Sequence, residues 1–198
     1  MAISVDLIKK LREKTNAPMM DCKKALQEAS GDLKTAIDLL KKRGQIVALK
    51  KAGRTAKEGV IESYIHSNSK IGVLLEVNCE TDFVARNEEF RIFAKDVCMQ
   101  IAASSPAYVS REEVSKSIID REKEILSEQV KGKPEKVMEK IIEGKLEKFY
   151  SEVCLMDQPF IKDDKITIRE YLSTLVGKIG ENIVVRRFVR FQIGEDIG

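Results

Sequence analysis

The run Val60-Ile61-Glu62-Ser63-Tyr64-Ile65-His66-Ser67-Asn68-Ser69-Lys70-Ile71-Gly72-Val73-Leu74-Leu75-Glu76-Val77-Asn78-Cys79 decides the fold. Ahead of it, apolar residues recur every three to four positions; within it, they alternate. Ile61, Ser63 and Ile65 alternate with Val60, Glu62 and Tyr64, and Asn68-Ser69-Lys70 supplies a turn. Ile71, Val73, Leu75, Val77 and Cys79 then share one face, with Leu74, Glu76 and Asn78 on the other. A period of two on both sides of a polar turn predicts an antiparallel hairpin. The pattern returns once, where Ile183, Val185, Val189 and Phe191 oppose Val184, Phe188 and Gln192. Arg186, Arg187 and Arg190 fall on both faces there, so at least one face is wet.

Working outward, the residues before the hairpin read as three short helices. Ser4 can cap the first, with Leu7, Ile8 and Leu11 on one face, and Thr15-Asn16-Ala17-Pro18 breaks it. Asp21 can cap a second, with Ala25, Leu26 and Ala29 inward. Gly31-Asp32 restarts the chain, and Leu33, Ala36, Ile37 and Leu40 form a third stripe ending at Gly44. Helices this short need one another, so a miniature bundle is expected. Beyond the hairpin the reading is wholly helical as far as the last strand. Asn87 caps a helix with Phe90, Phe93, Ala94, Val97 and Ile101 inward, stopped by Ser104-Ser105-Pro106. Ser110 with Glu113 makes a capping box for the next helix, toward Lys131-Gly132. Pro134 opens another, with Val137, Ile141, Leu146, Phe149 and Val153 inward; Thr167 with Glu170 starts the last, closing at Gly180. The expected class is α+β: a three-helix module (1–45), a basic linker (46–57), and an antiparallel sheet domain (58–198) with a helical excursion at 107–155.

Composition fixes what the chain is not. At 43% hydrophobic and 34% charged, its 198 residues are too apolar for disorder and too evenly charged for a fibre. The net charge of +3 is unevenly held. Residues 1–50 carry 11 Lys/Arg against 6 acids, so the whole excess marks a separate module with its own partner surface. No apolar run reaches membrane-span length and none at the start resembles a signal peptide, which predicts a cytoplasmic protein without membrane contact. Cys22, Cys79, Cys98 and Cys154 form no close pair, and His66 is the only histidine, so neither zinc nor any other cofactor is expected. Phosphate-loop, dinucleotide, nucleophile-elbow and zinc-protease motifs are missing, which argues against an enzyme.

Two segments resist a purely structural reading. Pro18-Met19-Met20 puts two large apolar side chains in a turn, either plugging the bundle or forming an adaptable contact surface. Glu80-Thr81-Asp82-Phe83-Val84-Ala85-Arg86-Asn87 links strand to helix with Phe and Val where Asn, Gly or Ser are usual. Phe83 either folds back as a lid on the core or stands out as an aromatic tip for a partner's pocket.

Leu11-Arg12-Glu13-Lys14-Thr15, Met19-Met20-Asp21-Cys22-Lys23-Lys24-Ala25-Leu26 and Gly31-Asp32 resemble the amino-terminal module of bacterial elongation factor Ts. Tyr64-Ile65-His66, Glu76 to Asn87, and Asn182-Ile183 to Gly194-Glu195 resemble that family's core. The resemblance implies a guanine-nucleotide exchange factor for elongation factor Tu, the GTPase that delivers aminoacyl-tRNA. It implies a ubiquitin-associated-like bundle docking through Met19, Met20, Lys23 and Lys51. It also implies that Thr81, Asp82, Phe83 and Val84 disturb the partner's magnesium site, with Phe83 as the wedge. Longer members carry a duplicated core; this chain has one copy, like the compact form of the family, so a homodimer in a two-plus-two complex is expected. Val185, Phe188 and Phe191 are the candidates for its seam. Asn16 and Pro18 stand where the family commonly has glycine. Two other readings compete: an RNA-binding module using Lys23, Lys24, Lys50, Lys51 and Arg54, and a hydrolase built on His66. The absence of aromatics among those lysines weakens the first.

Overall fold

A computed structural model describes residues 3–15, 17–131 and 134–195. In chain order the elements are α1 (Val5–Thr15), α2 (Met19–Glu28), α3 (Leu33–Lys51), β1 (Glu58–Ile65) and β2 (Ile71–Cys79). After these come α4 (Asp82–Ala85), α5 (Glu88–Ser104), α6 (Lys116–Gln129) and α7 (Glu135–Val153). The last are β3 (Pro159–Phe160), β4 (Asp163–Thr167), α8 (Ile168–Ile179) and β5 (Ile183–Gln192). The protein is therefore α+β, with helices inserted between the hairpin and the final strand. The strand order is β1-β2-β5, the hairpin pairing read from the alternation plus the distant last strand.

The chain divides into two compact units. One comprises Met1–Val60, Val77–Ala94 and Glu170–Val184. Within it, Ile8, Leu11, Cys22, Ala25, Leu26, Ala29 and Ala36 close the core of an α1–α2–α3 bundle. Ser4 Oγ accepts the Leu7 N–H, as the sequence predicts, and Asp32 caps α3 through the Thr35 N–H (2.8 Å). Elsewhere in this unit Phe93 meets Tyr171 edge to face, ring centres 5.0 Å apart.

Two expectations for the bundle fail. The second helix begins at Met19 with Pro18 as its cap, so Asp21 sits in the first turn, where its charge favours the helix dipole. The third does not stop at Gly44 but runs on to Lys51. Gly44 serves proximity rather than termination. A Cβ there would stand 3.2 Å from the Ser173 carbonyl oxygen, and one on Gly177 would stand 3.1 Å from Gly44 Cα. The missing side chains let α3 and α8 cross closely.

The other unit comprises Ile61–Glu76, Lys95–Arg169 and Val185–Gly198. Val73, Leu75, Val97, Cys98 and Ile101 are buried in it, as the two periodicities require. Arg187 pairs across strands with Glu76 (2.7 Å), one of the arginines that keep a sheet face wet. Arg111 lies 4.5 Å over the Tyr150 ring while bonding Glu147 with both terminal nitrogens (2.7 Å each).

Here too the structure corrects the sequence reading. Ser110 opens only a single 3-10 turn, Arg111–Glu113, and the Glu113 carboxylate accepts the Val109 N–H (2.8 Å). Val114 then turns inward, so the long helix starts at Lys116. Val137 is exposed and Tyr150 buried, because the packed face of α7 lies at its carboxy-terminal end. The stretch expected to be wholly helical contains the β3–β4 hairpin. Asp163-Asp164-Lys165 carries no apolar alternation, which hid that strand. Val185 is 6% exposed and so belongs to the core, not to a seam. The break at Asn16 and the helix end at Gly132 lie outside the described residues.

All four cysteines are free and buried. Burial pushes the Cys98 thiol up to about 12 and those of Cys79 and Cys154 up to about 11. Thiolate is the reactive form, so at pH 8 the native protein should react with a thiol reagent ~100-fold more slowly than the urea-unfolded chain. One cysteine reacting at the free-thiol rate would contradict that packing.

Candidate functional site

Strand β2 delivers the chain to the loop with its last side chain buried, and the Cys79 thiol donates to the Thr81 carbonyl oxygen (3.1 Å). Thr81 is extended (φ −129°, ψ 155°) and caps α4, its Oγ1 accepting the Val84 N–H (3.4 Å). Two residues past this four-residue helix, Asn87 Oδ1 accepts the Glu89 and Phe90 N–H groups at 2.9 and 3.3 Å, opening α5. Two caps in succession define the backbone on both sides of Phe83.

Phe83 is the tip. At 79% exposure it is the most exposed large apolar side chain among the described residues. The lid alternative is thereby excluded. Asp82 is half exposed and pairs with Arg86 at 3.0 Å, while Thr81 and Val84 are half buried. Of the other predicted residues, Met19 and Met20 open α2 at 47% and 61% exposure, so they do not plug the bundle. Lys23, one turn on, is exposed. Lys51 differs: its ammonium donates to the Gly180 carbonyl oxygen at the end of α8. Arg54 is likewise engaged, 3.5 Å from the Glu80 carboxylate. Two of the five cations on which an RNA-binding surface was expected are thus held by the protein itself. His66 bonds the Tyr64 hydroxyl (3.1 Å) at the hairpin end. Among the described residues no group of His, Cys, Asp or Glu is arranged to hold a metal, and no helix is long and apolar enough to cross a membrane.

The residues that sequence reasoning missed lie beneath the loop. Glu181 Oε2 accepts the backbone N–H groups of Glu80 (3.1 Å) and Thr81 (3.0 Å), and its Oε1 accepts the Thr81 hydroxyl (2.7 Å). Glu80 answers in the other direction, accepting the Asn182 N–H at 2.6 Å. Asn182 Nδ2 in turn donates to the Arg54 carbonyl (2.7 Å). The Asn182 N–H, helped by the Arg54 guanidinium, holds the Glu80 carboxyl below the usual carboxylate range. That contribution is present above the ordinary carboxylate pKa and is lost as pH falls through the lowered one. The only sequence signal was the Gly180-Glu181-Asn182 turn ahead of the last strand, about a hundred residues from the loop it supports.

The loop thus presents an exposed aromatic tip on a short, doubly capped and carboxylate-braced helix. A profile of the family described as Elongation factor TS matches residues 3–195. Proteins named Elongation factor Ts from Thermodesulfovibrio yellowstonii and Thermoanaerobacter sp. are 60% and 54% identical to the chain over 196 and 197 residues. Those alignments span 98% of this chain in both cases, and 98% and 97% of the relatives. One from Nitratidesulfovibrio vulgaris is 55% identical over 198 residues, 99% of both proteins. With the profile matched over residues 3–195 and these relatives 54–60% identical over nearly the whole chain, the chain belongs to the elongation factor Ts family.

Proposed function

We propose that this translation elongation factor speeds GDP release from elongation factor Tu by inserting Phe83 where it disturbs the partner's magnesium site. The observation that carries the reading is the 79% exposure of Phe83 on a braced loop. An exposed aromatic that costs the free protein apolar hydration is explained by a pocket that receives it. Thr81 and Val84 shape the tip, and Asp82, once it lets go of Arg86, perturbs polar groups near the magnesium. Exchange of this kind is coupling without bond chemistry. The factor must bind the nucleotide-poor partner better than the GDP-loaded one, because equal affinity for both shifts nothing.

The bundle, which we read as ubiquitin-associated-like, docks through Met19, Met20 and Lys23, and its basic charge steers the encounter. Lys51 contributes by fixing the end of α8 rather than as a free cation. The setting is cytoplasmic. Two chains pair, giving a two-plus-two complex, with exposed Ile61, Ile65 and Phe191 and half-buried Phe188 as the supporting apolar surface. Sedimentation of the free protein tests this pairing; a monomer binding one-to-one would exclude it.

The reading is tested by loading elongation factor Tu with fluorescent GDP and following its release. The wild-type chain should accelerate release, and failure to do so sinks the proposal. In M19A/M20A, the concentration giving half-maximal acceleration should rise about 10-fold or more while the plateau stays near that of the parent, since docking and displacement use different surfaces. Steep salt dependence of binding to RNA, with no effect on GDP release, would favour the RNA-binding alternative.

A further inference from the structure

A helix of four residues has no cooperative stability of its own. The direction in which α4 aims Phe83 must therefore come from what grips its ends. One end rests on Asn87, which also serves α5. The other rests on Thr81, whose carbonyl takes the Cys79 thiol and whose hydroxyl and N–H are gripped by one side chain from the far end of the sequence. Glu181 takes both the hydroxyl and the N–H of Thr81, together with the N–H of Glu80. The Thr81 hydroxyl donates a hydrogen bond to Glu181 and accepts one from the Val84 N–H, so carboxylate, cap and first helical turn form one chain of bonds. Glu80 locks the arrangement by gripping Asn182, the residue after Glu181.

We infer that Glu181, reciprocated by Glu80, is a positioning residue that holds Thr81 so that α4 presents Phe83 at a fixed angle. The inference rests on the reading of Phe83 as the displacing tip. Glu181 acts through Thr81, which lies between it and α4. Small misplacements of a group that must meet a partner in one geometry cost large factors in rate. Docking relies on other residues and should be spared.

The test has a readout that needs no partner. The chain contains no tryptophan, so F83W introduces one indole at the tip as a reporter. Its fluorescence anisotropy should fall when E181A is added and should be mostly restored by E181Q, whose amide oxygen can still accept the backbone N–H groups. In the exchange assay, with Phe83 retained, E181A should lower the plateau rate of GDP release about 10-fold, with the half-maximal concentration within ~2-fold of the parent. T81V removes the same hydroxyl from the other side, and E181A/T81V should lose no more than the worse single variant. Should E181A fold poorly by circular dichroism, T81V carries the test alone, with a fall in anisotropy and plateau rate expected. Unchanged anisotropy and plateau rate in E181A, or in T81V where E181A does not fold, would overturn the inference, as would a loss shared equally by the plateau and the half-maximal concentration. If the wild type fails to accelerate release, or F83A is fully active, the functional reading falls instead, whereas the anisotropy result still decides whether Glu181 holds the tip.

Discussion

At saturating factor, the F83A variant should release GDP from elongation factor Tu about 30-fold or more slowly than the parent chain. Buried aromatic anchors at interfaces are worth about 2 kcal/mol or more when truncated, and tenfold corresponds to about 1.4 kcal/mol. Here that interaction is asked to work in one state only. If Phe83 fits the partner's GDP-free form and not its GDP-bound form, its removal narrows the ratio of the two affinities, and exchange falls by the same factor. The free protein should not notice. A side chain 79% exposed contributes little to its own fold, so thermal unfolding should shift by no more than a degree or two. This separation of function from stability is the diagnostic part. Stopped-flow measurement of fluorescent GDP beside a melting curve checks both halves, and an F83A protein with full exchange activity would remove Phe83 from the mechanism.

The sequence offered an exposed Phe83 as one of two readings and did not show what supports it, and the reason is physical. Periodicity is local. It found α1, the β1–β2 hairpin, α5 and α8, because apolar spacing within ten or twenty residues reports which face is buried. Exposure of Met19, Met20 and Phe83 was legible only as an alternative, since an apolar residue in a turn serves a core as readily as a partner. Glu80 and Glu181 looked like any surface carboxylates. Their meaning comes from the antiparallel placement of β5 beside β2, which sets Asn182 against Glu80 and Arg187 against Glu76. Gly44 misled for a related reason. Read alone, a glycine after a helical stripe is a stop signal; opposite Gly177 it becomes a crossing point. Short polar strands such as β4 carry no pattern to read at all.

Gly59→Ala should be the most destabilising single-methyl change in the chain's first strand, lowering stability by about 3–5 kcal/mol. Gly59 has φ +147°, a conformation L side chains rarely adopt. A Cβ there would also stand 2.1 Å from the Val77 carbonyl oxygen and 2.7 Å from Asn78 Cα. Both obstacles are backbone atoms of the neighbouring strand, so no rotamer change relieves the clash, and the strands must part. Asn78 bonds the Glu58 carbonyl at 3.2 Å beside the same point, and that contact would be lost with them. The damage falls just ahead of Thr81, so exchange activity should decline together with stability, unlike in F83A. For a chain of this size the loss corresponds to a melting temperature about 10 °C lower. Gly144→Ala supplies the control: a Cβ in the middle of α7 meets nothing within 4 Å, and alanine there should raise helix stability by about 0.5–1 kcal/mol. Circular dichroism melts of the two variants should therefore move in opposite directions. A G59A protein that melts with the parent would mean that β1 and β2 do not approach as closely at Val77 as described, and would remove the platform on which the loop's geometry stands.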